Sequence, residues 1–190
     1  MMKKISKKWF SLAIALSASV VVSAAAQAQT WEQWIDYGYP GYSETGESWR
    51  TYEYYAAHDY SYRYLSHWDR GLPRVGTATW KTDPLPYHGI YEVRVTFRAS
   101  ENRTPEANYF VVKDMYGNLE EHPISQLGEG VETVVLGRYE YRKGQQPYVL
   151  LDGTDDNYSD CADAAFFKLI EVLPDAVGPA VDLLLLRKEK

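Results

Sequence analysis

The chain has 190 residues, of which 45% are hydrophobic and 15% aromatic, and it carries a formal net charge of −6 at pH 7. This length is typical of a single domain with a sizeable core of its own. The negative charge repels phosphate backbones and anionic headgroups, which argues against nucleic acid and membrane surfaces as partners. Neutral polymers, cationic ligands and metal ions remain compatible with it.

Residues 1–28 have the three parts of a secretory signal in their usual order. Four lysines between Lys3 and Lys8 precede an apolar stretch, and Ala26-Gln27-Ala28 forms a small-residue cleavage site. Serines interrupt the apolar stretch, which is shorter than the ~18 residues that a membrane anchor needs. We therefore predict cleavage after Ala28 and a periplasmic or secreted mature protein without a membrane span. The mature chain would keep 16 basic and 26 acidic side chains, a net charge of −10.

From Ile90 onward, apolar and polar residues alternate as they do in half-buried strands. In the first such segment, Ile90–Phe97, the residues Tyr91, Val93 and Val95 share one face with Phe97. Further strands are predicted over Asn108–Lys113, Val131–Leu136, Arg138–Arg142 and Tyr148–Asp152.

Two other regions are read as strands with less regular patterns. Ala162–Glu171 is apolar on both faces up to Lys168, which predicts a central strand covered on both sides. Residues 31–80 are also expected to form strands, although nine of the chain's 17 tyrosines lie between Tyr37 and Tyr64 and blur the alternation. Many short strands separated by turn residues predict an all-β sandwich or barrel in one domain, residues 29–172.

The last residues, 173–190, differ in character from the rest. Pro174, Gly178 and Pro179 give a linker-like stretch, and Val181–Leu186 is a short apolar run that is too short to cross a bilayer. Two interpretations remain open for this tail. It is either a surface-packed terminal helix or an apolar handle for self-association or for an envelope-protein partner.

No motif of a catalytic site is present. Gly41–Gly46 is one residue too long for a nucleophile elbow, and the four histidines are not spaced as zinc ligands. The carboxylate pair of a glycosidase is defined by spatial separation and leaves no spacing in a sequence. We therefore predict that the protein is not an enzyme, and we keep a glycan-active hydrolase or lyase as the third alternative.

The densest group of oxygen ligands lies between Asp152 and Asp160. Calcium takes six to eight such oxygens from flexible loops, although the spacing here does not fit an EF-hand. The alternative is a solvated acidic turn. No cofactor is expected apart from a possible structural calcium ion, and its candidate ligands are Asp152, Asp155, Asp156 and Asp160.

An aromatic stripe occupies alternate positions between His58 and Trp68, and two tyrosines continue it upstream. On a strand these side chains share one face, with Arg63 and Asp59 on the opposite, solvent-facing side. Such a stripe is either core or a platform, since tyrosine rings stack on the apolar faces of sugars and their hydroxyls form hydrogen bonds. The candidate glycan contacts are Tyr52, Tyr54, Tyr60, Tyr62, Tyr64 and Trp68.

The order and spacing of several short motifs resemble the golvesin C-terminal and xanthan-lyase carbohydrate-binding-like domain, over about Ile35 to Ile170. The motifs are Gly46-Glu47-Ser48-Trp49, His58-Asp59-Tyr60-Ser61-Tyr62, Ala78-Thr79-Trp80, Gly89-Ile90-Tyr91-Glu92-Val93, Asn102-Arg103, Ala107-Asn108-Tyr109, Leu136-Gly137-Arg138-Tyr139-Glu140-Tyr141, Gly144 and Ala162-Asp163-Ala164. This chain departs from the family in having no tryptophan in Val131–Val135.

The resemblance implies an antiparallel, jelly-roll-like β-sandwich that usually serves as a non-catalytic accessory module beside secreted enzymes. It also implies that Trp49, Trp80 and Asp163 belong to the framework. Our leading hypothesis is an exported module that binds polysaccharide or peptidoglycan glycan of the cell wall or an exopolysaccharide. The alternative from another class is a structural or interaction protein of the envelope or extracellular matrix.

Overall fold

The computed structural model describes residues 29–66, 75–153 and 158–175. The predicted signal segment and the apolar run of the tail lie outside these residues, as do three of the predicted site residues, Trp68, Asp155 and Asp156. Within the described ranges, no helix is both long enough and apolar enough to cross a membrane.

The described residues form twelve strands and one 3-10 turn, His58–Tyr60. The strands are β1 (Glu32–Asp36), β2 (Tyr42–Thr45), β3 (Trp49–Glu53), β4 (Ser61–Leu65), β5 (Gly76–Lys81), β6 (Gly89–Ala99), β7 (Ala107–Val112), β8 (Leu119–Ile124), β9 (Gly130–Tyr141), β10 (Tyr148–Gly153), β11 (Asp160–Ala162) and β12 (Ala164–Val172). The predicted all-β fold is therefore confirmed.

The strands pair antiparallel in three sheets, with the orders β1-β12-β6-β9, β2-β5-β10-β7-β8 and β11-β4-β3. The four-stranded and five-stranded sheets enclose the main core, in which Trp80, Tyr91, Tyr109 and Phe167 are fully buried. The result is the β-sandwich expected from the sequence. The three-stranded sheet covers a second, smaller core at one end.

Strand β6 has the alternation that the sequence predicts. The four residues assigned to one face, from Tyr91 to Phe97, are all buried in the described structure. On the opposite face Glu92 is also shielded, because the guanidinium groups of Arg94 and Arg138 both bind its carboxylate. The polar side of this strand is thus an ion-paired surface.

The predicted strand over Ala162–Glu171 is divided in two. β11 ends at Ala162 and β12 begins at Ala164, so the two strands join different sheets. Asp163 lies between them and is fully buried. β12 lies between β1 and β6, which confirms a central strand. The division was not predicted because an aspartate between apolar residues does not disturb the apolar pattern.

Two predicted strands are one strand in the structure. β9 runs through both Val131–Leu136 and Arg138–Arg142, and its register against β6 shifts where Val93 faces Gly137 and Arg94 faces Val135. The shift is a bulge, which changes the phase of the alternation so that the sequence looks interrupted. A Cβ at Gly137 would lie 2.5 Å from the Tyr139 hydroxyl oxygen, so any side chain here would have to displace the Tyr139 ring.

Strand β8 was not predicted at all. Its residues Leu119–Ile124 include two glutamates and a proline, which are unfavourable in a sheet interior. β8 is the edge of the five-stranded sheet, where Pro123 does not interrupt a second ladder. Apolar alternation did not predict this edge strand, because its charged residues and its proline interrupt the pattern.

The three residues that the resemblance assigned to the framework are all buried. The indole of Trp49 donates to the carbonyl of Thr45 at 2.8 Å, and that of Trp80 donates to the carbonyl of Asp163 at 3.4 Å. Cys161 is a free, fully buried thiol, and burial raises its pKa to about 12. It is therefore a small packing residue.

Candidate functional site

A hairpin of β3 and β4 carries the tyrosines that the sequence singled out. The two strands pair antiparallel with Tyr52 opposite Tyr62, and the alternation of side chains places Tyr64 on the same face. The rings of Tyr52 and Tyr62 lie 5.6 Å apart, and those of Tyr62 and Tyr64 lie 6.3 Å apart. Tyr54, just beyond the end of β3, extends the row.

The row passes from buried to exposed across its width. Tyr62 is only 5% exposed and packs with Phe97, Ala99 and Cys161 in the smaller core. Tyr54 and Tyr64 are half-buried against that core, whereas Tyr52 is 54% exposed. The sequence left open whether these tyrosines are core or platform. The row contains both, since Tyr62 is core and Tyr52 is exposed.

Two arginines from another part of the chain lie over these rings. Arg98, near the end of β6, places its guanidinium 4.6 Å from the centre of the Tyr54 ring. Arg103, in the loop after β6, lies 5.5 Å from the Tyr62 ring and 5.2 Å from the Tyr64 ring. Cation–π attraction therefore fixes both guanidinium groups on the tyrosine row.

The loop that carries Arg103 is held by backbone hydrogen bonds to two other segments. The Gln126 N–H donates to the Thr104 carbonyl at 3.0 Å, and the Thr104 N–H donates to the Ser159 carbonyl at 3.1 Å. The Gln126 side chain is fully buried and bonds both the Tyr109 hydroxyl and the backbone of Cys161. These bonds preorganise the loop, so Arg103 has a fixed position before any ligand arrives.

Together these side chains line a groove of about 340 Å³, which we call the tyrosine–arginine groove. Its lining residues are Tyr52, Tyr54, Tyr62, Tyr64, Arg98, Ser100, Asn102, Arg103 and Ser159. A wider depression of about 720 Å³ adjoins it. It shares Tyr54, Arg98, Ser100 and Asn102 with the groove and adds Glu101 and Glu129. Aromatic faces, hydroxyls, an amide and two cations therefore converge in one open cleft.

The charges of the two arginines act on the tyrosine at the floor of the groove. Burial raises the pKa of Tyr62, while the positive charges of Arg103 and Arg98 both act to lower it. Arg103 also donates a hydrogen bond from Nη2 to the Tyr62 hydroxyl at 3.1 Å. The charges of both arginines therefore act on the same phenolic oxygen, and Tyr62 stays protonated at neutral pH.

Four of the six predicted glycan contacts line this groove: Tyr52, Tyr54, Tyr62 and Tyr64. Tyr60 does not, because β4 begins only at Ser61 and the chain turns through left-handed conformations at Asp59 and Tyr60, with φ of 52° and 65°. Tyr60 is 71% exposed on that turn. Trp68 lies outside the described residues.

The opposite face of β4 is not the solvent-facing side that the sequence suggested. Arg63 forms a bidentate ion pair with Glu44 of β2, with both nitrogen–oxygen distances at 2.7 Å. Its guanidinium also lies 4.9 Å from the Tyr37 ring. The hairpin is therefore held against β2 on that side, and only the tyrosine side faces an open cleft.

Sequence reasoning did not identify Arg98 and Arg103 as site residues. Arg98 occupies a polar position of an alternating strand, where an arginine usually faces solvent. Asn102-Arg103 stood among the motifs of the family resemblance, but nothing local connects it with tyrosines 40 positions earlier. Only the pairing of β11 with β4 brings the two regions together.

The predicted calcium ligands are described only in part. Asp152 is exposed on β10 and Asp160 is buried on β11, while Asp155 and Asp156 lie outside the described residues. In the ranges that the structure covers, no three histidine, cysteine or acidic side chains are grouped as metal ligands. The calcium site therefore stays a prediction.

Comparisons with known proteins match this chain to one domain family and to several solved structures. The family model of the Golvesin C-terminal domain matches residues 34–169. A Paenibacillus xanthan lyase structure matches with a TM-score of 0.61 and 19% identity over 75% of this chain, which spans only 13% of the lyase. A family 35 carbohydrate-binding module from Clostridium thermocellum matches with a TM-score of 0.49 and 14% identity, covering 70% of this chain and 96% of that one. At such identities these structures share the fold alone, and no curated protein matches the chain.

Proposed function

The chain belongs to the Golvesin C-terminal domain family, and from that premise we propose that it is an exported, non-catalytic module that binds a glycan of the cell wall or an exopolysaccharide. One observation carries the proposal. The tyrosine–arginine groove combines aromatic faces with hydrogen-bonding groups in a cleft that is open to solvent.

The chemistry of the groove suits a sugar chain. The apolar C–H faces of a pyranose ring stack on tyrosine, and Tyr52 presents an exposed ring for this contact. Ser100 and Asn102 supply a hydroxyl and an amide for the sugar hydroxyls. The groove is open rather than enclosed and continues into the wider depression, so a polymer can pass along it without having to present a free end.

The proposal of a non-catalytic role rests on what lines the narrow part of the groove. Among its described lining residues there is no carboxylate, so the narrow groove lacks the carboxylate pair that most glycoside hydrolases use. Export is proposed from the signal-like composition of residues 1–28.

Substitution of two groove tyrosines tests the binding site. We expect Tyr52→Ala and Tyr54→Ala each to weaken binding to a glycan that the protein retains by about tenfold or more, because truncation of a central aromatic contact is among the costliest changes in an interface. Affinity electrophoresis against a panel of neutral and acidic polysaccharides, followed by calorimetry, gives the measurement.

Tyr116→Ala is the matched control, because Tyr116 is 81% exposed in the turn between β7 and β8, which is not part of the groove. It should bind as the unaltered protein does. Equal retention of all three variants would refute the groove as the binding site, and a failure to retain any polysaccharide would refute glycan binding. Release of reducing ends from a bound polymer would contradict the non-catalytic role.

A further inference from the structure

The two arginines of the groove are unusual in a protein with more acidic than basic residues. Three other arginines that the structure describes pair with carboxylates, Arg63 with Glu44 and both Arg94 and Arg138 with Glu92. Arg103 is only 4% exposed, yet its partners are the carbonyl of Arg98 and the hydroxyl of Tyr62.

Arg98 has the same kind of surroundings. Its Nη1 donates to the backbone carbonyls of Ala99 and Gly130, the latter at 3.0 Å, and its guanidinium faces the Tyr54 ring. In the described parts of the chain, neither Arg98 nor Arg103 forms an ion pair. All the contacts of both guanidinium groups are therefore to neutral oxygens and aromatic faces.

This arrangement leaves positive charge uncompensated in a partly dehydrated cleft. Removing a guanidinium from water is costly, and neutral acceptors offset that cost less well than an anion does. A planar carboxylate matches the fork of donors on an arginine and accepts two hydrogen bonds from it. Arg98 and Arg103 both line the narrow groove, so an anion bound there would lie near both side chains.

Resting on the proposed function, we propose that the groove is specific for an acidic sugar, a uronic acid whose carboxylate binds Arg98 and Arg103 while its ring contacts the tyrosines. The recognised unit is then charged, although the protein as a whole is acidic. The two cations supply the attraction that the overall charge of the protein would otherwise oppose.

The wider depression restricts the class of polymer further. Glu101 and Glu129 are both exposed there, next to the narrow groove. Carboxylates on neighbouring sugars would be repelled by these two glutamates, whereas neutral sugars can offer them hydroxyl donors. The charge pattern favours a chain in which a uronic acid alternates with neutral sugars over a polymer in which every sugar is acidic.

Paired polymers that differ only in their carboxyl groups test the proposal. The probes are hyaluronan, in which glucuronate alternates with a neutral sugar, alginate and polygalacturonate, together with the carboxyl-reduced form of each. We expect the protein to bind at least one acidic polymer about tenfold more tightly than its reduced form, with hyaluronan preferred, since hydrogen bonds to charged groups contribute more than those to neutral ones.

Two substitutions connect that preference with the arginines. Arg98→Gln should lower the affinity for the acidic polymer about tenfold more than it lowers that for the reduced polymer, and Arg98→Lys should restore part of the preference. Arg142→Gln is the matched control, because this substitution removes the same charge outside the groove. Arg142 is exposed and lies just after β9. Arg103→Lys, with thermal unfolding measured beside binding, serves as the second variant because Arg103 is buried.

Each outcome bears on the proposal. A preference for acidic polymer that Arg98→Gln abolishes and Arg142→Gln keeps would support it. Equal binding of acidic and reduced forms, tighter binding of the reduced forms, or the same loss in Arg142→Gln would overturn it while leaving a glycan-binding function intact. A protein that binds neither these probes nor any neutral polysaccharide overturns the proposed function as well.

Discussion

Asp163 is a carboxylic acid that the fold buries completely, and this burial changes its pKa. Its side chain is fully buried between β11 and β12; Oδ2 accepts a hydrogen bond from the backbone N–H of His58 at 3.2 Å, and Oδ1 has no partner among the described residues. Burial, opposed by that hydrogen bond, raises the pKa of Asp163 to about 8. The residue is thus mostly protonated at neutral pH and packs as a neutral group.

This pKa predicts a pH dependence of stability. In the unfolded chain an aspartate has a pKa of about 3.9, so between about pH 4 and 8 the folded state binds more protons than the unfolded state. The free energy of unfolding should therefore fall as the pH rises through this window and level off above it. Asp163→Asn should flatten the fall, as measured by urea unfolding at several pH values.

The pair formed by buried Asp36 and half-buried His58 is present in both proteins. Asp36 also has a raised pKa, chiefly because of burial, and its contribution has the same sign. The slope of stability against pH is the quantity to compare, because an asparagine at position 163 changes hydrogen bonding by a pH-independent amount. Identical slopes for the two proteins would contradict the assignment of the window to Asp163.

At the level of strands and turns, most of the architecture follows from alternation in the sequence, and the exceptions have identifiable causes. The bulge at Gly137 changed the phase in β9, and an edge position allowed charged residues and a proline in β8. The turn at Asp59 and Tyr60 ended an aromatic stripe that looks continuous in the sequence. The bulge and the turn are local backbone conformations and the edge position is a feature of sheet topology, and side-chain alternation encodes neither.

The turn before β2 offers a test of such a conformation. Gly41 has a φ of +95°, and a Cβ there would lie 2.2 Å from the carbonyl oxygen of Lys81. Gly41→Ala should lower the free energy of unfolding by about 2 kcal/mol or more, since both the left-handed backbone and the close approach penalise a side chain.

Gly117 provides the matched control for that substitution. Its φ is +82°, but a Cβ there meets nothing within 4 Å. Gly117→Ala should therefore cost only the backbone term, about 1 kcal/mol. Equal costs for the two variants in urea unfolding would show that the contact between Gly41 and Lys81 is not tight.

The loop between β10 and β11 carries the calcium prediction. If Asp152, Asp155, Asp156 and Asp160 bind calcium, millimolar calcium should raise the thermal midpoint of the protein and chelation should lower it, because a ligand that binds only the folded state stabilises it. Asp155→Asn/Asp156→Asn should abolish the effect. An unchanged midpoint in calcium and in chelator would leave these residues as a solvated acidic turn.

For the molecule as a whole, the sequence predicted the class of fold better than the site. Alternation of apolar and polar residues indicates which side of each strand is buried, and this information is enough to predict a β-sandwich. A groove depends on which strands become neighbours, and Arg98 and Arg103 meet the tyrosines only because β11 pairs with β4 and continues toward β12. The tyrosines could be predicted as a group because they lie within one hairpin.

The central claim is that a glycan binds in the tyrosine–arginine groove. Mapping of chemical-shift changes by NMR, during titration with the polysaccharide that the protein retains most strongly, tests it most directly. We expect the largest changes at Tyr52, Tyr54, Asn102 and Arg103, with little change at Trp34, which lies on β1 and does not line the groove. Changes centred on Trp34 or spread without focus, or their persistence in Tyr54→Ala, would contradict the claim.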